Sequence, residues 1–166
     1  MEIPLRRTLL LGPIKVPLSS TRMEEETPDM EWKRERFRIF DDRSMIDMEI
    51  VSRLLAETYW GYRRPRAIIE KLIENSLCFS LFSQYDQIGF ARVATDYTVF
   101  SWLSDLVMAP AYRNQGLGTW MLDCILKHPS IVQTQFVLQT RSAHTLYEKF
   151  GFEVSDKLMT RVPSTA

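Results

Sequence analysis

Between Tyr112 and Leu122 the chain reads YRNQGLGTWML, with two glycines two apart, an arginine three residues before the first, and an apolar run behind them. Close-set glycines are needed where backbone amides must approach a partner or where φ is positive. A helix that starts there points unpaired N–H groups outward. Gly116 and Gly118 flank Leu117, Arg113 adds a fixed positive charge, and Trp120, Met121, Leu122, Ile125 and Leu126 have the spacing of a helix with one buried face. The turn therefore reads as an anion cradle, and phosphate is the anion that suits it best. It is not a P-loop, which ends in Gly-Lys-Ser/Thr, nor the dinucleotide fingerprint, which needs a third small residue where Met121 stands. A tight strand-to-helix turn would use the same two glycines, so this stretch alone does not decide.

Other reactive side chains are few. Cys78 and Cys124 are the only cysteines, without C-x-x-C spacing, and His128 and His144 are the only histidines. That set argues against a four-ligand metal site and for a reducing, cytoplasmic compartment. Cys124 and His128 lie four apart on one expected helix face, where a packed cysteine and a helix-end histidine before Pro129 are preferred to a thiolate–imidazole pair. Lys and Arg total 21 against 21 for Asp and Glu, so no net positive field draws the chain to nucleic acid or an anionic membrane. A small molecule or a peptide is the expected partner. Every apolar stretch is broken by Pro or charge well short of the ~20 residues a membrane span needs, and a soluble protein follows.

These residues must be positioned by a single domain, the size that 166 residues supports. The first 22 residues are basic and proline-interrupted and read as a flexible or loosely docked tail rather than a targeting signal. From Arg36 the pattern is regular. RFRIF alternates as a strand, Asp42 or Ser44 can cap a helix with Ile46, Ile50, Val51, Leu54 and Leu55 on one face, and Pro65 fits the first position of a second helix carrying Ile68, Ile69, Leu72 and Ile73. SLCFSLFS, QIGFARVAT and FSWLSDLVM read as an antiparallel meander. The glycine turn then opens a helix ending at Pro129, TQFVLQT is a strand, SAHTLYEKF a short helix capped by Gly151, and FEVSDKLMTR a closing strand. The order β-α-α-β-β-β-α-β-α-β is a mixed α/β sheet whose last β-α-β unit is parallel and right-handed. The glycine turn falls at the carboxyl end of FSWLSDLVM, where α/β units present ligand sites.

In that order, Arg113-Asn114-Gln115-Gly116-Leu117-Gly118 matches R/Q-x-x-G-x-G/A, and TRSAHTLYEKFGF matches N-x-x-A-x-x-L-Y-x-K-x-G-F. With these two motifs the chain resembles the GNAT superfamily of N-acetyltransferases over roughly residues 36–161. The resemblance implies a mixed, mostly antiparallel sheet of six to seven strands with helices on both faces, splayed between the fourth and fifth strands. It divides the chain into an N-terminal extension, 1–35, and one acetyltransferase domain, 36–166. It implies that acetyl-coenzyme A binds through Arg113, Asn114, Gln115, Gly116, Leu117, Gly118 and Thr119 at its pyrophosphate, and along Leu106, Val107 and Met108 at its pantetheine arm. Thr140 stands where the family's Asn contacts the cofactor, and Tyr147 at the family's acid position.

The implied chemistry is attack of a neutral amine on a thioester, with a backbone N–H, that of Val107, steadying the oxyanion and the Tyr147 phenol protonating the thiolate. Without the motif, Tyr147 reads as an aromatic anchor for a short helix. Asp105, expected among apolar neighbours with Leu103 and Val107 on its own face, serves as base or as an anchor for the substrate's ammonium, with Asp96 and His144 as rivals. The family's acceptor site falls at YWGYRRPR, so Tyr59, Trp60, Tyr62 and Arg64 line the amine pocket. Its aromatics suit a cation and its arginines an acidic group. The leading expectation is acetylation of a small-molecule amine with coenzyme A as product. Acetylation of a peptide or protein amine, and acyl-coenzyme A binding without turnover, are the alternatives, and a homodimer is one assembly open to it.

Overall fold

The computed structural model describes residues 29–161. The expectation of a loose tail over residues 1–22 therefore lies outside the described residues. Six strands form one sheet whose spatial order follows the chain: β1 (Glu31–Arg34), β2 (Phe37–Phe40), β3 (Leu77–Ser83), β4 (Asp86–Thr95), β5 (Phe100–Met108) and β6 (Gln135–Leu138). Neighbours are antiparallel except β5 and β6, which run parallel from Phe100↔Gln135 to Leu103↔Leu138. β5 runs five residues beyond that last pair, so among the described residues its carboxyl half has no paired strand on the β6 side. This is the splay expected between the fourth and fifth strands, now β5 and β6 because β1 precedes them.

The sheet starts before Arg36, the boundary expected from the alternation. EWKR of β1 has three charged residues and one half-buried side chain, as an edge strand protected against further pairing does, and so carries no two-residue apolar period. At the other end FEVSDKLMTR is not a strand. Phe152 turns onto the Tyr147 ring at 5.7 Å, and Ser155 Oγ accepts the Lys157 N–H at 3.2 Å in a local turn that breaks the alternation.

Helices cover both faces. α1 (Met48–Ala56) and α2 (Arg66–Glu74) bury Val51, Leu54, Leu55, Ile69 and Ile73 against Phe90 and Val107. Asp47, not Asp42 or Ser44, caps α1 by accepting the Glu49 and Ile50 N–H groups; Asp42 caps a 3-10 turn at Arg43–Met45 instead. Pro65 is the N-cap of α2, one position before the expected one. On the opposite face α3 (Leu117–Leu126) packs Leu117, Met121, Leu122 and Ile125 against Phe79, Leu81, Ala91, Val93 and Leu103. Each such side chain contributes about 1.5–3 kcal/mol on burial, so both faces hold the sheet firmly beneath the site. The short α4 (His144–Glu148) follows β6.

Candidate active site

The glycine turn is the start of α3. Gly116 is its N-cap at φ 73°, no side chain bonds the first-turn amides, and no acidic residue lies in that turn. The helix therefore presents uncapped N–H groups and an unopposed positive dipole end. Asn114 is also left-handed, at φ 60°, and Leu117, only 2% exposed, pins the turn to the core from below. Gly116 has an internal reason in its φ. Gly118 has none: its φ is not positive, and a Cβ added there would meet nothing within 4 Å. Alanine at that position would favour the helix by about 1 kcal/mol, so no contact among the described residues calls for glycine there. An anion as wide as a pyrophosphate fits a turn open on this side and lined by amides.

Arg113 is fixed rather than free. Its Nε donates to the Met108 carbonyl at 3.0 Å and its Nη2 pairs with Glu57 at 3.5 Å. Gln115 Nε2 donates to the Ala111 carbonyl at 2.8 Å. These bonds tie the turn to the end of β5 and to the end of α1.

A bulge reshapes β5. Phe90 pairs with Val107 but Arg92 with Ser104, so Asp105 and Leu106 stand opposite Ala91 alone, and Asp105 takes φ 55°. The extra residue reverses the alternation. Leu103 packs in the α3-side core and Val107 in the α1/α2-side core, so they do not flank Asp105 on one face as the sequence pattern implied. The amides shift too. Ala109 N–H donates to Ile88 O at 2.7 Å, and antiparallel alternation then turns the Val107 N–H toward β4 and the Met108 N–H toward the side β6 leaves open. Arg113 on the Met108 carbonyl agrees with that direction. The donor that faces the unpaired side is thus the amide of Met108, itself buried, one residue beyond the expected Val107, with half-buried Leu106 beside it.

Asp105 has no exposed side-chain surface. Its Oδ2 accepts Arg92 Nε at 2.6 Å and Arg64 Nη1 at 2.9 Å, and its Oδ1 is buried without a partner among the described residues. Arg92 also donates to Ser76 and Ser104 hydroxyls at 3.3 Å each. Sequence reasoning passed over Arg92, although a lone arginine inside the apolar strand QIGFARVAT is itself a signal of a buried ion pair. Arg64, expected to line the amine pocket, instead binds Asp105 and the Trp60 carbonyl and so anchors its own loop.

That loop stands on Thr58, whose Oγ1 donates to Leu55 O at 2.7 Å and accepts the Gly61 N–H at 2.9 Å. Tyr59, Trp60 and Tyr62 project from it, all exposed. Tyr59 spans to the segment after β6, where its hydroxyl accepts the Arg141 N–H at 3.2 Å. Tyr147 on α4 lies half-buried nearby. Burial, and after it the Tyr59 phenol, raises the Tyr147 phenol above its usual value. Thr140 Oγ1 accepts the Ala143 N–H at 3.0 Å and so shapes the approach to α4. Thr140, His144 and Tyr147 also border a groove of about 640 Å³ between β6 and residues 152–158, which does not reach the glycine turn.

Of the two rivals for the base, Asp96 is committed elsewhere, while His144 stays at the groove beside Tyr147. Asp96 Oδ1 accepts the Thr98, Val99 and Phe100 N–H groups at 2.9 Å each, and these bonds, that of Phe100 foremost, hold its carboxyl below the usual range. Burial pushes the Cys124 thiol up to about 11 and Cys78 to about 12, so neither is a ready thiolate. His128 Nδ1 accepts the Ser130 N–H, and its Nε2 therefore donates to Asp41 Oδ2 at 2.8 Å. It packs against the Trp32 and Phe79 rings and forms no dyad with Cys124.

Residues 74–154 match the family of GNAT acetyltransferase domains. A Xanthomonas campestris protein assigned to the GNAT acetyltransferases superimposes with a TM-score of 0.74 at 32% identity, over 79% of this chain and 96% of that one. An Elizabethkingia anophelis GNAT acetyltransferase crystallised with acetyl-CoA shares the fold at a TM-score of 0.58 and 20% identity, over 74% of this chain and 80% of its own. Among curated relatives, a Prochlorococcus marinus N-acetyltransferase is 29% identical over 94 residues, and the chain spans about half of its length, 52%.

Proposed function

The chain belongs to the GNAT family of acetyltransferases, and from that premise we propose that it transfers an acetyl group from acetyl-coenzyme A to a primary amine of a small molecule. The observation that carries this reading is the uncapped start of α3 beside Gly118, a glycine that no contact among the described residues requires, opening onto the unpaired half of β5. Bound there, acetyl-coenzyme A supplies a thioester whose carbonyl carbon bonds to the amine nitrogen as its C–S bond breaks, giving an N-acetyl product and coenzyme A.

The chain's own groups do the rest. The amides of residues 115–119 hold the pyrophosphate, and the open edge of β5 at Leu106 and Met108 offers backbone partners to the pantetheine arm. The Met108 N–H is the donor that steadies the oxyanion, because Val107 is turned away. Tyr147 gives its phenolic proton to the departing sulfur; its raised pKa keeps it protonated for that task. Asp105 organises rather than deprotonates: two guanidiniums occupy one oxygen, and the carboxylate joins the acceptor loop to β4 and β5. An ammonium form gives up one proton to water before attack, and the second proton, shed by the nitrogen as it becomes an amide, returns through water to the Tyr147 phenolate.

Thiol release from acetyl-coenzyme A across a library of amines, with calorimetry for acetyl-coenzyme A itself, tests the reading. Turnover with a small amine is the expected result. Micromolar binding without turnover on any amine would point to an acyl-coenzyme A sensor, and turnover on peptides alone to a protein acetyltransferase.

A further inference from the structure

The acceptor loop mixes rings that suit a cation with arginines that suit an acid, and the side chains resolve that conflict. The Arg141 guanidinium lies over the Tyr59 ring at 4.5 Å and the Arg63 guanidinium over the Tyr62 ring at 5.0 Å. One face of each of these two rings already meets a guanidinium, and Trp60 is the ring of the loop over which no cation lies among the described residues. Four acids around the loop are paired as well. Asp105 pairs with Arg64 and Arg92, Glu57 with Arg113, and Glu49 and Glu70 with Arg66. Among the described residues no carboxylate pairs with Arg63 or Arg141.

The Arg141 guanidinium is also pre-positioned, and that of Arg63 stacks on Tyr62. Arg141 is held from two sides, its backbone N–H on the Tyr59 hydroxyl and its guanidinium on the same ring. Arg63 sits in the left-handed region at φ 63°. A stacked, planar guanidinium loses little freedom when it meets a carboxylate and meets it with two parallel N–H bonds. Two positive charges that no carboxylate pairs among the described residues also disfavour an ammonium ion beside this loop and so help the amine arrive neutral, as the reaction needs.

Resting on the acetyl-transfer reading above, we propose that the acceptor is an acidic amine of the amino-acid type, whose carboxylate is bound by Arg141 with Arg63 in support. Acetylation of α-amino acids is compared with that of the matching amino-acid amides, with rates corrected for the fraction of free amine. A charge-assisted bidentate contact gives the acids a kcat/KM higher by about ten- to hundredfold. Arg141→Gln brings that ratio close to one, Arg141→Lys keeps part of it, and the acetyl-coenzyme A Kd stays in place in both. Binding of N-acetyl amino acids and of their amides to the coenzyme A-loaded protein, read by calorimetry, needs no turnover. An Arg141-dependent preference for the acids there, without turnover on any amine, would remove acetyl transfer and leave this inference standing. Equal rates and equal binding for acids and amides would overturn it while acetyl transfer stood, as would a preference for phosphate-bearing amines or a full preference retained in Arg141→Gln.

Discussion

Gly118 and Tyr147 can each be altered by one small group, and each alteration separates binding from folding. Gly116→Val would mix the two, because φ 73° strains a β-branched residue whatever the ligand does. Gly118→Ala does not: its Cβ meets no protein atom, so the melting temperature should hold or rise, by up to about 1 kcal/mol in stability. Acetyl-coenzyme A affinity in that variant should fall at least tenfold by calorimetry, and an unchanged Kd would detach the turn from the cofactor. Tyr147→Phe keeps the ring that packs on Phe152 and removes only the hydroxyl. The expected loss is about 10² to 10⁴-fold in kcat, with acetyl-coenzyme A binding kept, and a loss below about twofold where chemistry limits the rate would return Tyr147 to a packing role. The pH profile gives an independent reading. Burial and Tyr59 place the phenol above its usual ~10, so it is protonated at lower pH and kcat should lose this acid only as pH rises through a value above 10. Tyr147→Phe should lack that alkaline limb, and a parent limb well below pH 10 would assign the acid to another group.

At the scale of elements, the apolar periods of α1, α2 and α3 and the runs of β3, β4 and β5 were legible because each buries a face that its residue order must mark. β1 was not legible, since an edge strand of charged residues hides its period, and the alternation of residues 152–161 misled because a hydroxyl turn at Ser155 interrupts it. The site was half legible. The glycine turn declared itself through residue type, but the bulge in β5 contains neither Gly nor Pro, and it alone decides which amide faces the opening and which face Val107 joins. The acceptor loop has a support the sequence could not reveal. A Cβ at Gly61 would lie 2.6 Å from the Leu55 carbonyl and 2.8 Å from Thr58 Oγ1, so Gly61→Ala must displace the turn that carries Tyr59 to Arg64. We expect about 1–3 kcal/mol of destabilisation in denaturant titrations and a rise of several-fold in acceptor KM, with the acetyl-coenzyme A Kd little changed. An equal rise in both constants would mean that the loop also shapes the cofactor site.

Across the whole molecule, Asp105 is where the acceptor loop, β4, β5 and the segment entering β3 converge, through Arg64, Arg92 and the Ser76 hydroxyl. The Asp105 side chain has no exposure, while those of Arg64 and Arg92 keep 19% and 11%. Asp105→Asn leaves two guanidiniums facing a neutral amide. Breaking a buried pair by removing one partner costs about 3–5 kcal/mol, and the partial exposure of the arginines places this case at or below the low end. The consequence is mechanical as well as thermodynamic, because Arg64 released from Asp105 frees the loop bearing Tyr59 and, through it, the position of Arg141. The expected variant melts several degrees lower, binds its acceptor more weakly, and keeps kcat within about tenfold at saturating acceptor. A catalytic base would behave otherwise: its loss collapses kcat and leaves melting nearly in place. Combining Asp105→Asn with Arg64→Met closes the test, since a network predicts that the double variant is less destabilised than the sum of the two single ones, with a coupling of about 0.5–3 kcal/mol. Strict additivity together with a kcat lost in Asp105→Asn alone would restore Asp105 as the base and refute the organising role given to it here.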